Sequence, residues 1–66
     1  MGKIRRGGYL FLWWIGDHGP RHVHVFDGKG HLLGRIAIAT GEPLDDWNPP
    51  QKVLGIIRAL QNEGRL

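Results

Sequence analysis

The chain has no cysteine, no long apolar run and few acidic residues, and each shortage removes a class of protein. Without cysteine there is no disulfide framework and no thiolate zinc site. No apolar run reaches the ~20 residues that a membrane helix needs, so no membrane partner is expected. The start, MGKIRRGGYLFLWWIGD, has the basic and apolar regions of a signal peptide, but Asp17 and histidines follow where a small-residue cleavage site belongs. The expected compartment is the cytoplasm. Six Asp and Glu stand against nine Lys and Arg, a formal net charge of +3, which favours an anionic partner such as nucleic acid.

What is present must fold within 66 residues. A chain of that size buries only about 60% of the surface it exposes when unfolded, so its core is marginal. With disulfides excluded, the remaining supplements are a metal held by histidine and carboxylate, a partner, or a second copy.

Residues 9–15, YLFLWWI, are aromatic or aliphatic throughout and lie between Gly8 and Gly16, which reads as a strand too short for a helix. HVHVFD, residues 22–27, alternates polar and apolar side chains and is the clearest strand in the chain. GKG at 28–30 supplies a hairpin turn, and HLLGRIAIAT at 31–40 a third strand in which Gly34 implies a bulge or a close approach. The period then changes. Val53, Ile56, Ile57 and Leu60 share one face of a helix, with Leu54 beside them. Asn48 is the expected N-cap, with Gln51 completing a capping box, Pro49 and Pro50 where a missing N–H is harmless, and Gly64 as the C′ stop. Trp47 is placed as the staple residue before that cap, and Asp45 and Asp46 as charges favoured by the helix dipole. Lys3, Arg5 and Arg6 read as a solvated basic arm, with phosphate contact as the alternative.

The expected fold is therefore a single α+β domain over residues 1–66: a three-stranded antiparallel sheet followed by one C-terminal helix packed on one face. Period-two geometry sends Val23, Val25, Leu32, Ile36 and Ile38 to the core. It leaves His22, His24 and Phe26, with His31, Leu33, Arg35 and Ala37, on an open face. Trp13 and Trp14 are adjacent and must point opposite ways. One helix cannot cover both faces, so the open one is a binding surface or a dimer interface.

The stretch DHGPRHVHV, residues 17–25, holds three of the four histidines. Its spacing leaves three readings open. Asp17, His18, His22 and His24 have the donor chemistry of a divalent metal site, and H-x-H on a strand sets two imidazoles on one face with ~7 Å between Cα atoms. The same imidazoles, beside Arg21 and Arg35, suit general acid–base work on a ribose 2′-hydroxyl, which would make the protein a metal-independent endoribonuclease. On the third reading Asp17 bonds the Gly19-Pro20 turn and the strand histidines are surface residues.

The stretch also resembles a family of small bacterial proteins catalogued as domain of unknown function 4160, whose signature is close to D-H-x-P-P-H-F-H-V. Asp17, His18, Pro20, His22, His24 and Val25 match it, with Arg21 in place of the second proline and Val23 in place of phenylalanine. The likeness extends to the aromatic-aliphatic strand upstream, to Ile36, Ile38, Thr40 and Gly41 of an I-x-I-x-T-G run, and to the C-terminal helix. The resemblance implies a component of a toxin-antitoxin-like gene pair, and a strand order similar to the double-stranded-RNA-binding-like fold of the Hic-type mRNA-interferase toxins. Those toxins use a strand histidine, to which His22 or His24 would correspond; their N-terminal helix has no counterpart here.

Together these point to a bacterial protein that binds RNA through the open sheet face, with DNA as the other candidate anion. His22 and His24 are the expected catalytic pair should it cleave. Arg21, Arg35, Phe26 and Lys29 are the expected nucleic-acid contacts, and Asp17 and His18 the residues that orient the turn. No cofactor is expected. Two rivals stand beside it: a non-catalytic module whose open face is covered by a cognate small protein or a second copy, and a metalloprotein using Asp17, His18, His22 and His24.

Overall fold

The computed structural model describes residues 2–14 and 21–66. It is an antiparallel sheet of four strands, in the order β1 (Gly2–Arg6), β2 (Tyr9–Trp13), β3 (His22–Phe26) and β4 (Leu32–Ala37), followed by helix α1 (Gln51–Asn62). The class is as expected, but the sheet has one more strand. The basic segment read as a solvated arm is β1, paired with β2 from Gly2↔Trp13 to Arg6↔Tyr9. Two features make it a strand. Gly7 and Gly8 take φ of 63° and 86°, the left-handed pair that a two-residue type I′ hairpin requires. Its inner face is then occupied although its sequence is polar. Ile4 packs on the core, the Trp13 indole lies where a Cβ on Gly2 would be, and Arg6 reaches the helix end to pair with Glu63 at 2.7 Å.

The core lies between the sheet and α1. Phe11 and Trp13 of β2, Val23 and Val25 of β3, Ile36 and Ile38 of the β4 segment, and Val53, Ile57 and Leu60 of α1 are buried together. Burying each such side chain contributes about 1.5–3 kcal/mol, which is how so short a chain offsets its chain entropy. Leu32, expected in this core, is instead 56% exposed. The ladder slips between Val25 and Phe26, so that Val25 faces Gly34 while Phe26 faces Leu32. Leu33 is thereby passed over, and one extra residue reverses the parity of everything before it. Gly34 keeps its place on the inner face because the Trp47 indole lies against its Cα, where a Cβ would overlap it.

The helix begins later than the sequence suggests. Pro50, extended at φ −61° and ψ 150°, is its N-cap residue, and no side chain among the described residues caps it. Asn48 is too early: each residue before a proline is pushed to extended backbone, and two prolines in a row carry that state through position 49. Trp47 accordingly lies three residues before the N-cap, not next to it; it packs against the core, and its indole Nε1 donates to the Arg35 carbonyl at 3.1 Å. The helix end is as expected. Gly64 at φ 77° donates to Gln61 O at 3.0 Å and Arg65 to Leu60 O at 2.9 Å, the two bonds of a Schellman cap. No helix among the described residues is long and apolar enough to cross a membrane.

Candidate functional site

The side of the sheet away from α1 is organised in rows, because residues paired across strands share a face. One row runs Lys3, Leu12, His24, Arg35 across all four strands. The next runs Arg5, Leu10, Phe26, Leu32, and His22 pairs with Ala37 at the opposite end of β3. Adjacent strands are about 4.8 Å apart, so Lys3 and His24 are separated by roughly 10 Å at the backbone. Trp14, just past the end of β2, is 38% exposed and sets its ring at 90° to His24, with centroids 4.9 Å apart. His22 and His24 stand side by side with ring centroids 5.0 Å apart. A half-exposed tryptophan beside two imidazoles, flanked by cations, is a surface on which a planar anionic ligand can stack and pair.

The expected contacts divide. His22, His24, Phe26 and Arg35 come together on this face, as the alternation of β3 and β4 requires. Arg35 is already engaged, however. Its Nη2 and Nε donate to the two oxygens of Asp45 at 3.0 and 3.2 Å, and its backbone N–H donates to Asp45 Oδ2 at 2.9 Å. The Asp45 carboxyl is held below the usual carboxylate range, chiefly by the hydrogen bond from the Arg35 side chain. Asp45 therefore serves Arg35, not the helix dipole.

Arg21 is not with the histidines. Its carbonyl accepts from Ile38 N–H at 3.0 Å, which continues the ladder and gives Arg21 the parity of Val23 and of the buried Ile38. Lys29 sits exposed at the tip of the β3–β4 turn, beyond the Phe26 end of β3. That turn is organised by Asp27, whose Oδ1 accepts the amides of Lys29 and His31 at 2.8 and 2.9 Å. His31, expected on the open face, has its Nδ1 3.1 Å from Asp27 Oδ2. Asp17 and His18, the orienting or metal-ligating residues of the sequence reading, lie outside the described residues. Among the described residues no group of three or more His, Asp or Glu is arranged to hold a metal ion.

Two residues absent from the sequence-based site join it through β1. Lys3 and Arg5 project on the open face, and among the described residues neither is held in an ion pair. The signal that could have found them was Gly7-Gly8, a hairpin dipeptide standing directly before an apolar strand.

No family model, curated protein or solved structure matches this chain. The site is read from its own chemistry. A concavity of about 330 Å³ lies away from this face, between the end of β4 and α1, with Thr40, Arg58 and Gln61 among its lining residues. Gln61 there donates to Ile38 O at 2.8 Å, tying helix to sheet.

Proposed function

We propose that the open face of the sheet binds RNA, as one component of a bacterial toxin-antitoxin-like pair. The observation that carries this is the row Lys3, Leu12, His24, Arg35 with Trp14 set against His24: cations at the margins, imidazoles and an aromatic ring between them. Single-stranded nucleic acid is held by that combination, phosphates by the cations and bases by the rings. Lys3 and Arg5 are the available phosphate contacts on this face, and Arg35 joins them only by exchanging Asp45 for phosphate. Phe26 extends the platform, and Arg21 and Lys29 lie outside it. Strand-borne His22 and His24 also supply an acid and a base should a 2′-hydroxyl be delivered between them, so the same face accommodates cleavage.

A fluorescent single-stranded RNA titrated across a salt series, with the products run on a gel, tests the proposal. Each phosphate contact contributes about −0.7 to the slope of log K against log salt, so Lys3→Ala and Arg5→Ala should each flatten it by about that much. Trp14→Ala should cost on the order of 1–3 kcal/mol if a base stacks there. The double variant His22→Ala and His24→Ala should lose binding, together with any cleavage. Undiminished binding by all of these variants would sink it.

A second reading draws on the row Arg5, Leu10, Phe26, Leu32, which is apolar over three strands and ends in an exposed leucine. It is a non-catalytic module whose face is covered by another protein or a second copy. Absence of RNA binding together with a stable dimer would favour it.

A further inference from the structure

The two outer edges of the sheet differ in occupancy. Along β4, the chain returns and pairs with its own edge: Ala37 N–H donates to Glu42 O at 2.9 Å, Leu44 N–H donates to Arg35 O at 3.0 Å, and Pro43 bridges Ile36. The residue after that strap, Asp45, then places its carboxylate on the Arg35 guanidinium. An extended segment thus adds to an edge strand by backbone hydrogen bonds and brings an acidic side chain onto the cation that the edge strand presents.

β1 offers the same elements with nothing paired to its outer edge among the described residues. In a hairpin closed by a two-residue turn, Arg6 and Tyr9 exchange both ladder hydrogen bonds. By alternation Ile4 and Gly2 also turn their backbone groups to β2, while Lys3 and Arg5 turn theirs outward. Those two residues also carry the cations of the open face that are in no ion pair among the described residues. An added strand therefore finds four backbone groups to bond and two positive side chains beside its own alternate positions.

We infer that the outer edge of β1 receives an extended segment of another protein, antiparallel, with acidic residues at the two alternate positions facing Lys3 and Arg5. The charge pattern selects this occupant over a second copy. Every antiparallel self-pairing that satisfies these outward backbone groups sets Lys3 or Arg5 of one copy directly opposite Lys3 or Arg5 of the other, and like charges across a ladder repel. An acidic partner converts each repulsion into a pair; on the other edge Leu44 stands opposite Arg35, and Asp45 makes the ion pair from the next position. Strand addition of this kind takes its affinity from the main chain and its specificity from alternate side chains.

The test uses the whole isotope-labelled chain and a blocked hexapeptide of sequence Thr-Glu-Val-Glu-Val-Thr, with a control in which both glutamates are lysine. At saturation the acidic peptide should slow hydrogen exchange at the Lys3 and Arg5 amides by on the order of ten-fold, the protection expected of a ladder bond at an edge. The lysine peptide should leave them unprotected, and methylating the peptide amides that face β1 should abolish the effect. Lys3→Glu with Arg5→Glu should reverse the preference; if that variant does not fold, the wild-type comparison decides alone. Three results overturn the inference: equal protection by both peptides, binding that perturbs Trp14 and His24 without protecting Lys3 and Arg5, or protection of those amides in the free protein that rises with its concentration, which would mean self-pairing. All three are read separately from RNA binding, whose failure would leave this edge unaffected.

Discussion

The β1–β2 hairpin turns on two glycines and runs in unbroken register, whereas the β3–β4 hairpin turns on an aspartate, slips by one residue and is strapped along its outer edge. The first is specified by backbone conformation, since Gly7 and Gly8 alone dictate the turn and the turn dictates the pairing. The second is specified by side chains: Asp27 gathers the turn, Trp47 fits against Gly34, and Asp45 holds Arg35. Among the described residues, the hairpin held by its turn leaves its outer edge unpaired, while the one held by its surroundings has that edge covered by what holds it.

The contrast can be broken most sharply at Gly34. A methyl group there overlaps the Trp47 indole, so Gly34→Ala should destabilise by about 1–3 kcal/mol as an overpacked site does. The melting temperature should fall by roughly 4–8 °C per kcal/mol for a domain of this size, and tryptophan fluorescence should report a displaced Trp47. Next in size is Gly8→Ala. Nothing lies within 4 Å of the added carbon, so its cost is the left-handed backbone alone, at φ 86°, about 1 kcal/mol. A larger loss at Gly8 than at Gly34 would mean that the left-handed turn of the first hairpin matters more to stability than the Trp47 contact that holds the second.

Acid should have the smallest effect and should touch both hairpins. Asp27, Asp45 and Glu63 are all held below their usual values. For Asp27 the His31 backbone amide is the main cause, for Asp45 the Arg35 side chain, and for Glu63 the Arg6 side chain. A carboxyl whose folded value is depressed contributes stability that is complete above its unfolded value, about 4. That contribution is lost as pH falls through the folded value. Thermal melts should therefore be flat from pH 7 to about 5 and decline below about 4. Asp45→Asn should shrink the decline attributable to the second hairpin, and Glu63→Gln that of the first. A melting temperature unchanged down to pH 3 would show that these exposed pairs contribute nothing, as many surface pairs do.

Periodicity made β3, the end of β4 and α1 legible, because their apolar residues recur at the spacing of the element they form, and β2 was legible as an apolar run too short for a helix between Gly8 and Gly16. β1 was not legible that way. Of GKIRR only Ile4 is an apolar side chain, and the other inner positions are filled by Trp13 covering Gly2 and by Arg6 reaching Glu63. Both contacts are made by residues distant in sequence, so no local window contains them. Leu32 failed for a related reason: the slip beside Leu33 is a property of the pairing, and alternation read along one strand carries straight through it. At the site, the facing of His22 and His24 followed from period two, but the Asp45 clamp on Arg35 depended on a return strap that carries no period. The early cap at Asn48 yielded to two prolines that hold the chain extended as far as Pro50.

The strap over β4 also sets how many neighbours the sheet can take. A sheet with two bare edges is divalent and can propagate end to end, the route by which exposed strands grow into fibrils. Residues 42–44, with a proline that has no N–H to donate, close one of those ends permanently. Among the described residues, this sheet can therefore be extended along the hydrogen-bond direction on its β1 side only. With one edge strapped and, among the described residues, one unpaired, the sheet offers a single edge for strand addition and cannot relay an added strand through itself.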